Sequence, residues 1–356
     1  MTILENYKAA AFQKSTEIIP VVLLNNCPWI NHLYRVKAKD YYLRPHVRMA
    51  LDIALQERYP DIMLTPGIFP DLGSVVEPSL FGGKVLWQEN DAPYILPVLD
   101  NIKDAEYKYR NMGNLSNRGV APMFLEQYAF LKENMPPEYK KEYGYLDGVI
   151  TILGPIGTAC LLRGHSNFYI DLYDYPTQTQ KFLEIVTQVL IDWIKTIEKI
   201  SGKTKILTLA DHQSSFLSRP HLEKFYIPYI KAINNAFPNT VKVYHNEGPT
   251  FKILDIICQL GSNVFHCGPD INLKKAKDIC KNLTIMGNLD PKEVLAAGSV
   301  TDIKHETIRI MEEGSKLNGF MFANSAAPYT TTPWENLDTM IDTATSWAKK
   351  HTKNRD

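Results

Sequence analysis

Charge of one sign is missing from this chain of 356 residues: 39 Lys and Arg balance 39 Asp and Glu, for a formal net charge of zero. Nucleic-acid surfaces are ordinarily basic, so no nucleic-acid partner is expected. No run reaches the 18 apolar residues of a membrane span. The opening residues MTILENY carry no secretory-signal pattern, so no membrane partner and a cytoplasmic location are expected. Cysteine is scarce. The five, at 27, 160, 258, 267 and 280, are odd in number, widely spaced and free of any C-x-x-C. That pattern fits reduced thiols better than a disulfide framework, with Cys160, Cys258 and Cys280 read as small packing residues. Internal repeats and low-complexity tracts are also absent. What remains is an ordinary globular composition, 45% apolar and 22% charged.

The clearest organisation lies in residues 240–291. Three short apolar runs (241–243, 264–265 and 283–286) each end in polar residues: His245-Asn246-Glu247-Gly248, His266-Cys267-Gly268 and Gly287-Asn288-Leu289-Asp290. Stretches of helical character, 251–260 and 273–280, separate them. Such alternation predicts βαβ units and a parallel sheet, and ionisable residues just past successive strand ends mark the functional face of a (β/α)8 TIM barrel. The same alternation continues on both sides. Strands are expected at 18–24, 61–66, 149–153, 206–209 and 319–322. Helices are expected within 1–17, at 40–58, at 177–200 with a continuous apolar stripe, and at 301–313. Ser218 and Pro220 read as a helix start, and Thr332–Leu337 as the cap of a closing helix. Residues 83–87 look hairpin-like. Residues 90–145 read as helices in an insertion within a single domain spanning 1–356. The fold class is therefore α/β, a (β/α)8 barrel with N-terminal helical additions.

Alternation along a strand places His245 and Glu247 on one face, the interior mouth of a barrel. Val264 and His266 share a face, and the bulk of Phe265 suits the helical shell, which turns His266 inward. His245, Glu247 and His266 then form a two-histidine, one-carboxylate set with a fourth position open, the usual catalytic zinc arrangement. Cys267 is the alternate third ligand if the strand ends one residue early. A plainer reading has His245 hydrogen-bonded inside the barrel and Glu247 paired with a basic group. Asp211, after the strand at 206–209, either orients a ligand imidazole or moves a proton; a loop-fixing role accounts for it equally. Asn25 and Trp29 at the end of the first strand, Asp61, Asn288 and Tyr329 are candidate substrate contacts. Asn288, beside a helix-capping Asp290, also has a purely structural reading. Tyr41, Tyr42, Phe69 and Trp87 are further candidates for an aromatic wall.

Several stretches carry a resemblance to a known family: GPIGTACLLRG (154–164), LADHQSSFLSRPHLEKFYIPYIKAI (209–233), VKVYHNEG (241–248), GSNVFHCGPDINLKKAKDI (261–279), IMGNLDP (285–291) and TPWENL (332–337). The chain resembles the uroporphyrinogen decarboxylase superfamily, especially its corrinoid-dependent methyltransferase branch, in register over roughly 145–345. DIMLTP (61–66) resembles the aspartate-bearing strand of the decarboxylases. The resemblance implies a barrel with its site at the carboxyl ends of the strands. The departures are specific. The arginine-rich motif of the decarboxylases is replaced by Asn25-Asn26-Cys27-Pro28-Trp29, which leaves a polycarboxylate without its guanidinium clamps. Their late histidine is replaced by Ala326-Ala327. The resemblance implies, for the coenzyme M branch, a zinc site of His-x-Cys plus a later Cys; here the places read His245-x-Glu247 and Ser325-Ala326, so any ligand set is nitrogen and oxygen rather than sulfur-rich.

The expectation that results is a zinc-dependent methyltransferase. It would move a methyl group from a small methyl donor, a methoxylated aromatic, to the corrinoid (cobalamin) of a partner protein. No D-x-H-x-x-G corrinoid motif occurs in the chain, so the corrinoid must come with that partner. Alternatives are a methylcorrinoid:thiol methyltransferase of the coenzyme M type, a decarboxylase of the family's namesake kind, and a non-enzymatic barrel that binds an aromatic or tetrapyrrole-like ligand.

Overall fold

The computed structural model describes residues 1–26 and 28–352. Cys27, one of the five thiols counted above, lies outside the described residues. Among the described residues ten strands form: β1 (Val21–Leu24), β2 (Met63–Thr65), β3 (Val85–Leu86), β4 (Tyr94–Ile95), β5 (Val149–Leu153), β6 (Ile206–Ala210), β7 (Val241–Asn246), β8 (Val264–Cys267), β9 (Thr284–Leu289) and β10 (Phe320–Asn324). Eight of them pair in parallel in the order β2-β1-β10-β9-β8-β7-β6-β5. Helices follow the strands and cover the outside, giving the expected (β/α)8 barrel. The short antiparallel pair β3–β4 is the hairpin expected near 83–87.

The strongest helix, Pro176–Ser201, buries Phe182, Val186, Leu190, Trp193, Ile194 and Ile197 on one stripe, as its 3.6-residue period requires. The helix expected over 40–58 is two helices, Ala38–Leu43 and Pro45–Arg58. Arg44 between them is extended (φ −119°, ψ 96°), because the ring of Pro45 disfavours helical backbone in the residue before it. The stretch expected as one helix over 251–260 is a 3₁₀ turn, Phe251–Ile253, and a single helical turn, Leu254–Ile257. Ser218 occupies the expected start of the helix Arg219–Phe225, but its side chain makes no capping bond. Asp290 does cap, accepting from the N–H groups of Lys292 and Glu293.

One expectation is corrected outright. Cys258 and Cys280 are joined as a disulfide across 22 residues of sequence. The wide spacing of the thiols hid the pairing: the turn after β7 and the helix Leu273–Ile279 after β8 are neighbours only in the fold. Cys160 and Cys267 are free and buried. Among the described residues no helix is long and apolar enough to cross a membrane.

Candidate active site

Register sets the site. Leu153, Ala210, His245, His266 and Met286 are partners across β5 to β9 and form one row near the carboxyl ends of the strands. His245 and His266 both line a cavity of about 210 Å³ in the barrel mouth. Tyr244 and Phe265 stack on each other on the opposite face, ring centroids 5.8 Å apart. The inward turn of His266 and the outward turn of Phe265 follow from alternation, as expected.

His212, His245 and Glu247 come together. One ligand atom from each lies within 4.8 Å of the others. His245 Nε2 is 3.9 Å and His212 Nδ1 4.0 Å from the Glu247 carboxylate. His212 was not singled out from the sequence. It sits on the loop after β6, where its Nδ1 accepts from the Glu247 N–H at 3.5 Å, and that loop is tied to β7 chiefly through Asn246. Asn246 Nδ2 donates to the Asp211 carbonyl, to Ser214 Oγ and to Tyr244 Oη, while its Oδ1 accepts from Ser215 Oγ and the Gly248 N–H. The Asp211 N–H donates in turn to the His245 carbonyl. The alternation that presents His245 and Glu247 to the mouth points Asn246 the other way, where it fixes the neighbouring loop.

Burial pushes the imidazole of His245 well below its ordinary pKa, with His266 and His212 adding to the effect. Burial lowers His212 and His266 to about 4. All three are neutral near pH 7, the form that ligates metal. Burial also raises the Glu247 carboxyl, although that side chain stays 40% exposed.

His266 stands apart from the trio. Its ring lies 4.6 Å from that of His245, but its Nε2 donates to the Asn324 carbonyl at 2.8 Å. A carbonyl only accepts, so that nitrogen carries the proton and is engaged. Where the sequence reading grouped His266 with His245 and Glu247, the structure brings His212 within reach of those two instead. The alternate, Cys267, is fully buried and its Sγ faces the Met286 carbonyl between strands, away from the mouth.

Asp211 is fully buried, and its carboxylate accepts from the N–H groups of Ile156 and Gly157 at 3.1 and 2.9 Å. It caps the helix Pro155–Arg163 from outside, where the dipole favours an anion. This is the loop-fixing reading rather than a catalytic one. Burial nevertheless lifts its pKa to about 7. Gly154 makes room: a Cβ there would sit 2.3 Å from an Asp211 oxygen.

The candidate substrate contacts disperse. Asn25 pairs reciprocally with the backbone of Gly67. Trp29 is fully buried. Asp61 precedes β2 at the opposite end of the barrel and pairs with Lys349. Asn288 donates to the carbonyls of Gly268 and Ile271, fixing the loop after β8. Tyr329 is 48% exposed and outside the cavity. Of the aromatic wall, Tyr42 and Phe69 do line the cavity, joined by Phe124 from the 90–145 segment. Glu77, in the short helix Val76–Leu80, also lines it and is buried. The only signal for it in the sequence was a lone acid amid apolar residues, VVEPSLF.

The model of the uroporphyrinogen decarboxylase (URO-D) family matches residues 4–347. The chain belongs to that family. Among its relatives, a uroporphyrinogen decarboxylase of Geotalea daltonii is 28% identical over 172 residues, 48% of this chain and 50% of that protein. The match thus spans about half the length of that decarboxylase. The methylcobamide:CoM methyltransferase MtbA of Methanosarcina acetivorans is 24% identical over 254 residues, 70% of each chain. A solved methyltransferase structure from Methanosarcina mazei superposes with a TM-score of 0.79 over 98% of this chain and 99% of that one, at 18% identity, and so supports the fold. Decarboxylase and corrinoid-linked methyltransferase branches are therefore both represented among the relatives of this chain.

The trio fits a metal of the zinc class. Two neutral imidazoles and a carboxylate are an accepted catalytic donor set. Zinc donors lie roughly 3.3 Å apart in a tetrahedral site, so side-chain movements under about 1 Å would close the observed spacing. The His245 nitrogen that faces Glu247, and would ligate, is Nε2.

Proposed function

We propose that this member of the URO-D family is a corrinoid-linked methyltransferase that binds zinc through His212, His245 and Glu247. It would transfer a methyl group from a small methoxylated aromatic to a corrinoid carried by a separate protein. The observation that carries the reading is the nitrogen and oxygen trio at the barrel mouth, opening onto an aromatic-lined cavity. Zinc bound there would act as a Lewis acid toward a substrate heteroatom, so that a poor leaving group can depart. The chain's own residues supply the rest. Asn246 holds the loop that positions His212. His266, fixed by the Asn324 carbonyl, packs against His245 and limits how its ring can turn. Tyr42, Phe69 and Phe124 would hold an aromatic ring and exclude water.

The family's namesake decarboxylation is disfavoured by the cavity, whose lining contains no lysine or arginine to meet several carboxylates. The likeness to MtbA favours a second reading, transfer from a methylcorrinoid to a thiol. A methylcobalamin and coenzyme M assay separates the two directions.

The test is metal content. Protein purified without chelator should hold close to one zinc per chain; less than about 0.2 would sink the metal reading, since a three-ligand site retains most of its ion. His212→Ala, His245→Ala and Glu247→Ala should each lose zinc, and His266→Ala should keep it. A screen of methoxylated aromatics with reduced corrinoid protein then tests the methyl donor.

A further inference from the structure

The cavity carries acidic groups, and the buried Arg48 guanidinium next to it is engaged by the carbonyls of Phe69 and Asp71. Glu77 is 5% exposed, and its carboxyl is set against the backbone N–H groups of Leu153 and of Glu77 itself. No ion pair reaches it among the described residues. Asp71 lines the same cavity, and no lysine or arginine does. The three histidines at the opposite side are neutral near pH 7. Two further buried oxygens on the wall, Thr151 Oγ1 and Asn26 Oδ1, have no hydrogen-bond partner. The amide oxygen and the hydroxyl thus lack partners, although buried polar groups are ordinarily satisfied, and the Glu77 carboxyl in the same cavity, which accepts from backbone N–H groups, has acceptor capacity to spare.

Distance along the sheet completes the picture. Leu153 and His245 occupy the same register row two strands apart, roughly 10 Å at ordinary strand spacing. A para-substituted benzene ring with a hydrogen bond at one end spans that separation, and Tyr42, Phe69 and Phe124 line the same cavity.

We propose that Glu77 reads the far end of the substrate: the cavity selects a methoxyarene bearing a hydrogen-bond donor, a phenolic hydroxyl, opposite its ether oxygen, and rejects the carboxylated counterpart. The proposal rests on reading this cavity as the methyl-donor site. A hydroxyl donates to the Glu77 carboxyl and offers its own proton to nothing else. Above pH 7, where Glu77 is ionised, a carboxylate placed there would meet a like charge with no lysine or arginine lining the cavity, which is costly in a water-poor site.

The matched pair 4-methoxyphenol and 4-methoxybenzoate isolates this difference. Binding is measured by calorimetry at about pH 8.5, where Glu77 is ionised, on the full-length protein as purified, with zinc content determined on the same sample. 4-Methoxyphenol should bind with a Kd below ~1 mM, and 4-methoxybenzoate at least ~10-fold more weakly. In Glu77→Gln, which keeps an acceptor oxygen and removes the charge, the ratio should fall below ~3. A benzoate binding within 10-fold of the phenol, no phenol binding at ~1 mM, or an unchanged ratio in Glu77→Gln would each overturn the proposal. If that variant does not fold, the ligand pair on the wild-type chain decides alone. Because neither ligand titration requires methyl transfer, a failure here is distinct from a failure to hold zinc.

Discussion

A buried carboxyl without a cation stores a pH dependence. Burial raises Glu77 from its ordinary value of 4.5 to about 7, so the folded protein binds that proton more tightly than the unfolded chain. The resulting stabilisation is fully present below pH 4.5 and is lost as pH rises through about 7, a change of roughly 3 kcal/mol. Glu77→Gln removes this term. Urea unfolding of wild type and Glu77→Gln at pH 5 and pH 8 should show the variant gaining on the wild type at the higher pH, with the difference saturating above pH 8. Asp211 contributes in the same direction but is present in both proteins and cancels. At this scale the sequence was half legible. His245 and Glu247 could be read because strand alternation alone puts them on one face. His212 could not, because its approach depends on hydrogen bonds from Asn246 across two strand ends. Asp211, Asn25 and Asn288 looked chemical because their residue types are, yet each is consumed by backbone groups that only the fold brings near.

Elements were legible where a period or a proline governs them. The apolar stripe of Pro176–Ser201 is visible in any helical projection, and Pro45 marks the break that a simple stripe over 40–58 passes through. The bridge between Cys258 and Cys280 was not legible, since it joins the segments that follow β7 and β8. Closing a 22-residue loop constrains the unfolded chain and is worth roughly 3 kcal/mol. Thermal unfolding with and without a reducing phosphine should therefore show a transition lower by several degrees when reduced, and the Cys258→Ala, Cys280→Ala double variant should match the reduced protein. His212, His245 and Glu247 all precede Cys258, so the double variant should keep its zinc. Loss of metal would place the ligands inside the loop, with His266, and revise the donor set.

For the whole molecule, the open question is how eight strands enclose a cavity when the ladder runs from β2 to β5 without a described backbone pairing between those two. Tyr145 bridges them. It stands four residues before β5, is fully buried, accepts from the Leu64 N–H of β2 at 3.0 Å and donates to Gln56 Oε1 at 2.6 Å. Its ring also fills the space beside Gly67, where a Cβ would come within 2.1 Å of it and where φ is +78°. Tyr145 thereby sets the path of the loop after β2, which brings Pro66 and Phe69 to the cavity wall. Tyr145→Phe keeps the ring and removes only the hydroxyl, stranding a buried N–H and an amide oxygen. Equilibrium unfolding should show a loss of about 1–3 kcal/mol. Zinc content should be unchanged, because the proposed ligands lie at the carboxyl ends of β6 and β7, on the paired side of the sheet. Affinity for 4-methoxyphenol should fall with the loosened wall. A variant that loses stability but binds the phenol as tightly as wild type would mean that the β2–β5 seam holds the barrel together without shaping its cavity.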